Sequence, residues 1–82
     1  LFTTGGAAVD PHRDRTVSAI AYAAESAYVR LLHETLADDG VHVAQVTIVG
    51  AIGAGLTHEP DEVAEHLWQL HAERTQPLLV LR

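Results

Sequence analysis

The sequence predicts an α/β chain built on a parallel sheet, in the order β-α-β-α-β. Two short apolar segments, Leu1-Phe2-Thr3-Thr4 and Leu78-Leu79-Val80-Leu81, lie at its two ends. A third, Val41 to Val49, is dominated by β-branched residues and is apolar almost throughout, which suits a parallel strand covered on both faces. Between these segments run two stretches of helical spacing, long enough to act as crossovers between parallel neighbours, and such crossovers are expected to be right-handed.

Each element has its own justification. The first segment stops at Gly5-Gly6, as a strand leaving a sheet does, and Pro11 to Thr16 is a charged loop. From Asp14 to Ala37 the chain holds no glycine or proline. Apolar residues recur there at Val17, Ile20/Ala21, Ala24, Tyr28, Leu31/Leu32 and Leu36, and Gly40 supplies a stop. The alanine-rich stretch Ala19 to Ala27 allows a neighbouring element to approach closely. After the central strand comes a loop, Gly50 to Glu59, with three glycines. Pro60 then stands where a first helical residue belongs, Asp61 and Glu62 favour the positive end of the helix dipole, and Val63, Ala64, Leu67, Leu70 and His71 share one face.

Composition narrows the function classes. The chain has 82 residues, no cysteine and no methionine, and its basic residues are five arginines against eleven acids, a net charge of −6. Lacking cysteine, it has no disulfide, thiolate zinc site or cysteine nucleophile. Lacking lysine, it has no Schiff-base amine and no Walker-type phosphate ligand. The acidic balance argues against nucleic acid and anionic membranes as partners. No segment approaches the ~20 apolar residues of a membrane span and no secretory signal is visible, so a cytoplasmic location is expected. A domain of this size buries only roughly 60% of its unfolded surface. Three parallel strands with two helices leave a sheet edge and part of a face uncovered. With the chain opening at Leu1 inside a strand, the expectation is a piece of a larger fold, completed by a missing N-terminal half or by another protomer.

The run Ala23-Ala24-Glu25-Ser26-Ala27-Tyr28-Val29-Arg30-Leu31-Leu32-His33-Glu34-Thr35-Leu36-Ala37-Asp38-Asp39-Gly40-Val41-His42-Val43 resembles the back half of a short-chain dehydrogenase/reductase. In that family a long alanine-rich helix ends in an E-L-A-x-x-G-I-x-V-type turn that feeds an apolar strand. Leu1-Phe2-Thr3-Thr4-Gly5-Gly6 looks like the family strand that ends in Ile-Ser-Ser and a glycine. The resemblance implies that residues 1–82 form the C-terminal part of one Rossmann-like domain, the last three strands of a doubly wound sheet. The dinucleotide-binding half is then absent. The implied activity of the parent is hydride transfer between NAD or NADP and a carbonyl or alcohol, and the long helix 14–37 is implied as a homo-oligomer interface.

The family's chemistry needs a serine, a tyrosine and a lysine four residues after the tyrosine. The reason is general: a phenol of pKa near 10 is a poor base at neutral pH until a fixed cation stabilises its phenolate. Counting without gaps from Leu36 and Gly40 puts Ser18 at the tyrosine position and Tyr22 at the lysine position. A four-residue shift restores Tyr22 as the tyrosine and leaves Ser26 as the lysine, but needs an indel inside a helix. Neither register supplies a lysine. For the serine, Gly5 falls near the expected place and Thr4 is the nearest hydroxyl. The resemblance therefore nominates Tyr22 as proton donor with Ser18 or Thr4 as its carbonyl partner, and Gly5, Val49 and Gly50 as cofactor-side residues. The same departures suit a non-catalytic homologue that keeps the fold for binding or assembly.

Three further features are weighed. Gly50-Ala51-Ile52-Gly53-Ala54-Gly55 is neither a G-x-G-x-x-G nor a Walker pattern, and reads as a mobile loop over a cleft or as a plain connection. Glu62 and His66, with His58, Glu59 and His71 nearby, offer nitrogen and oxygen ligands, but the spacing fits a solvated helix face better than a metal site. Trp68 is expected to pack in the core; an exposed Trp68 would point to an interface or a substrate wall.

Overall fold

The computed structural model describes residues 1–82. Strand β1 (Phe2–Gly5) leads into helix α1 (Thr16–Leu36), followed by β2 (Gln45–Ile48), helix α2 (Pro60–Glu73) and β3 (Leu78–Leu81). The strands form one parallel sheet in the order β1-β2-β3, with Phe2, Gln45 and Leu78 in register. The predicted order and strand direction hold, and the central segment is buried continuously from Val43 to Ile48. No helix is long and apolar enough to cross a membrane.

Local chemistry fixes the helix ends. A 3-10 turn at Arg13–Arg15, where the His12 side chain accepts the Asp14 amide, leads into α1. A second 3-10 turn at Ala37–Asp39 leads out of it, and Gly40 takes the left-handed conformation at φ 74° that a glycine tolerates without strain. Helix α2 has Pro60 in its first turn and ends at Arg74, itself left-handed at φ 54°. The Arg74 guanidinium donates to the Gly40 carbonyl at 2.6 Å, so the stops of the two helices are tied together.

The two helices lie on opposite faces of the sheet. Successive strand residues alternate faces. Gln45 reaches Ser26 of α1, whereas Val46 and Ile48 pack with Val63 and Leu70 of α2. The overall dimensions agree: 38 × 29 × 12 Å, where the short axis is close to two strand spacings and the 29 Å axis takes a helix on either side of a sheet. Two crossovers of one hand that step the same way across a sheet would place both helices on one face. One of the two connections is therefore left-handed, against the right-handed rule expected from the sequence.

Of the apolar stripe that identifies α1 in the sequence, Leu32 and Leu36 are half-buried, but most of it does not pack on the sheet. The sheet-facing residues are Ala19, Tyr22, Ser26, Val29 and His33; Val17, Ile20, Tyr28 and Leu31 point the opposite way and are 83%, 67%, 56% and 62% exposed. Both stripes have helical spacing. The outward one is simply the more hydrophobic.

Candidate functional site

The opposite placement of the helices creates a crevice. After β1 the chain turns toward one face and after β2 toward the other, so their carboxyl ends part instead of closing over each other. Parting connections at the carboxyl ends of parallel strands are where open α/β sheets accept ligands. Here the crevice has a volume of about 700 Å³, walled by Gly5, Gly6, Ala7, Asp10, His12 and Arg15 on the β1 side and by Ile48, Val49, Gly50 and Ala51 on the β2 side. Beside it lies a shallower depression of about 310 Å³ bounded by Thr3, Thr4, Gly5, Tyr22, Ile48, Gly50 and Ile52. Gly5, Ile48 and Gly50 border both, so the two form one continuous concavity.

The three residues nominated for the cofactor side, Gly5, Val49 and Gly50, all line the crevice. Two glycines matter for shape. A Cβ on Gly5 would lie 3.2 Å from the Tyr22 ring, so the missing side chain is what lets α1 bring the phenol against the strand end. Gly50 has φ 106°, and a Cβ there would meet Thr57 at 2.9 Å, so no other residue fits the turn out of β2.

Of the nominated catalytic residues, Tyr22 and Thr4 border the depression and Ser18 does not. Ser18 is exposed on the first turn of α1, outside both cavities. Thr4 is buried, and its hydroxyl is already engaged: it lies 2.8 Å from the Thr47 hydroxyl and accepts from the Gln45 amide at 3.3 Å. The same amide donates to Thr47 at 3.1 Å and to Ser26 at 2.9 Å. This network orients Thr4 and engages two of the three hydrogen-bonding positions of its hydroxyl. Ser26, the alternative lysine position, is part of the network and does not border the depression.

The glycine loop is tied down. The His58 ring is 2.7 Å from the Val49 carbonyl, and backbone bonds run from Gly53 to His58 and from His58 to Ala51. Gly55 donates its amide to the Glu59 carboxylate at 2.8 Å. The loop is therefore a closed turn held at the rim of the crevice, not a free connection.

His58 is thereby committed to the backbone, and no group of three or more histidine, aspartate and glutamate side chains comes together as a metal site. Glu62 and His66 are exposed. Trp68 is 62% exposed with its ring 5.5 Å from His71, which overturns the expectation of core packing. The sequence reading missed Arg15 and His12. Both stand in the loop read only as charged, and the signal was chain position: they follow a strand's carboxyl end.

Comparison with models of known protein families, with curated proteins and with solved structures finds no match to the chain.

Proposed function

We propose that the chain is the C-terminal part of a Rossmann-like, short-chain-dehydrogenase-type oxidoreductase that uses NAD or NADP on a carbonyl or alcohol substrate. The observation that carries this reading is the crevice between the parting ends of β1 and β2, with Tyr22 at its edge. Its dimensions and small walls fit the nicotinamide end of a dinucleotide, with the pyrophosphate falling outside it. A glycine-rich first strand-to-helix turn would have to come from another segment. When bound, the cofactor supplies the hydride. Gly5, Val49 and Gly50 would shape its seat, Tyr22 would hold the proton exchanged with the substrate oxygen, and Thr4, held by Thr47 and Gln45, would fix the strand end against which Tyr22 rests.

A second reading is favoured by specific observations. The chain has no lysine, Ser18 stands outside the concavity, and the Thr4 hydroxyl is engaged. These suit a homologue that binds without turnover. Titration with NADH and NADPH, followed by nucleotide fluorescence, and then nucleotide consumption with a panel of ketones and aldehydes distinguish the readings. Turnover that falls on Tyr22→Phe supports the enzyme. Nucleotide binding without turnover supports the binding module; since the pyrophosphate turn would come from another segment, it is absence of nucleotide binding by a parent protein carrying that segment that sinks both.

The partner proposed for α1 is another protomer or the missing half of the fold. Its support is the outward stripe of Val17, Ile20, Tyr28 and Leu31, an apolar face on the side of the helix turned away from the sheet.

A further inference from the structure

We infer that the crevice receives an anionic group, a carboxylate or a phosphate, held by Arg15 with His12 beside it. The inference rests on the reading of this crevice as the ligand site and names the substrate class: a small carbonyl compound or alcohol that carries an acid group.

Charge makes the first argument. The chain carries eleven acidic residues against five arginines, so its overall field repels anions. Within the crevice the acidic excess is gone, one carboxylate standing against one guanidinium. Asp10 is its only carboxylate, and Asp10 is paired at 2.9 Å with Arg82, which is not among the lining residues. The other ion contact of the chain joins His12 to Asp14, so Arg15 lines the crevice with no carboxylate partner. A guanidinium presents a planar fork of donors matched to carboxylate and phosphate oxygens, and a charge-assisted pair of this kind is roughly twice as strong as a neutral hydrogen bond.

Tautomer chemistry makes the second. His12 Nδ1 accepts the Asp14 amide at 3.1 Å, so in the neutral ring the proton sits on Nε2. In that tautomer His12 adds a donor beside Arg15.

Position makes the third. Arg15 and His12 belong to the crevice and Tyr22 to the adjoining depression, with Gly5, Ile48 and Gly50 shared between them. A ligand whose acid group meets Arg15 shares the crevice with Gly5, against which the Tyr22 ring packs.

The test is an amide-resolved NMR titration of the chain at constant ionic strength with three probes: pyruvate, inorganic phosphate and, as the neutral control, acetone. Pyruvate or phosphate is expected to shift the Arg15 Nε–H and the amides of Gly5, Gly6 and Gly50 saturably, while acetone alone leaves them in place. Arg15→Gln should weaken that binding at least about tenfold, and Arg15→Lys should restore part of it. A response to pyruvate alone assigns a carboxylate, and to phosphate alone a phosphate ester. Shifts that are absent, unsaturable, or unchanged in Arg15→Gln overturn the inference. NADH titration of the same variants in a parent protein that carries the pyrophosphate-binding segment separates this from the oxidoreductase reading: anion binding without nucleotide binding leaves the anion site standing and removes the cofactor. Nucleotide binding with no Arg15-dependent anion response does the reverse.

Discussion

The two faces of the sheet are built differently. Against α2 the strands present a dry aliphatic cluster of Ala44, Val46, Ile48 and Leu81 with Val63 and Leu70. Against α1 they present Thr4, Gln45 and Thr47, an amide and two hydroxyls bonded to one another and to Ser26. The outer sides of the helices differ in the reverse sense: Asp61, Glu62, Glu65, His66 and Gln69 of α2 meet solvent, whereas α1 turns Val17, Ile20, Tyr28 and Leu31 outward. Helix α2 has a dry inner side and a mostly charged outer side on which Trp68 alone is a large exposed apolar residue. Helix α1 has a mostly polar inner side, an apolar outer side and the concavity at its start, and the ligand and partner proposed above both lie on its half of the molecule.

The largest expected effects test that contrast through stability. Leu70→Ala empties a site that is 3% exposed at the centre of the aliphatic cluster, and is expected to cost about 2–5 kcal/mol in urea unfolding. For a chain of this size that is a large fraction of the total. Gln45 is as deeply buried, at 1% exposed, yet Gln45→Leu is expected to cost less than about 2 kcal/mol. The substitution removes an amide whose carbonyl oxygen has no partner, and it leaves Thr4 and Thr47 bonded to each other. Equal costs at the two positions would mean that the polar face is as structural as the aliphatic one.

The next effect is on assembly. Ile20 is 67% exposed, so Ile20→Asp should leave the unfolding midpoint of a monomer nearly unchanged. By sedimentation equilibrium it should shift a self-associating wild type toward monomer. A wild type that stays monomeric at every concentration would remove a second protomer as the partner of the α1 stripe. An Ile20→Asp variant as associated as the wild type would clear the stripe of any role in self-association.

Most element boundaries were legible because local signals agree with the fold: Gly40 at a left-handed stop, Pro60 in a first turn, an apolar strand flanked by glycines. The orientation of α1 was not. It carries two stripes of helical period, Ala19-Tyr22-Ser26-Val29-His33 and Val17-Ile20-Ala24-Tyr28-Leu31, and hydrophobicity alone chooses the second. The sheet takes the first because Ser26 satisfies Gln45, a buried polar group that an aliphatic stripe would strand. The faces of the helices were illegible for a related reason. The handedness rule predicts one face, and only the alternation of Gln45 and Thr47 against Val46 and Ile48, once their partners are known, reports two. Gly5, Val49 and Gly50 were legible as crevice residues because they sit at strand ends. Arg15 was hidden by its neighbours: Asp10 and Asp14 flank it in sequence and suggest cancelled charge, yet Asp10 pairs with Arg82 at the far end of the chain.

The smallest expected effect lies where the two halves meet, at the end of the sheet away from the crevice. His42 Nε2 contacts the Leu70 carbonyl of α2 at 3.1 Å, and its ring packs edge-on against His33 of α1 at 5.6 Å. Burial pushes the His42 pKa below the usual 6.5, and the nearby His33, Arg74 and His71 push the same way, while the Leu70 hydrogen bond opposes them. In the unfolded chain His42 therefore takes up a proton at a higher pH than in the folded one. Its contribution to stability is complete above about pH 6.5 and is lost as the pH falls from there through the lowered folded value. Thermal unfolding between pH 7.5 and 5 should show a falling midpoint, and His42→Gln, which retains a donor for the Leu70 carbonyl, should flatten that fall. A slope unchanged in His42→Gln would move the acid sensitivity to other groups.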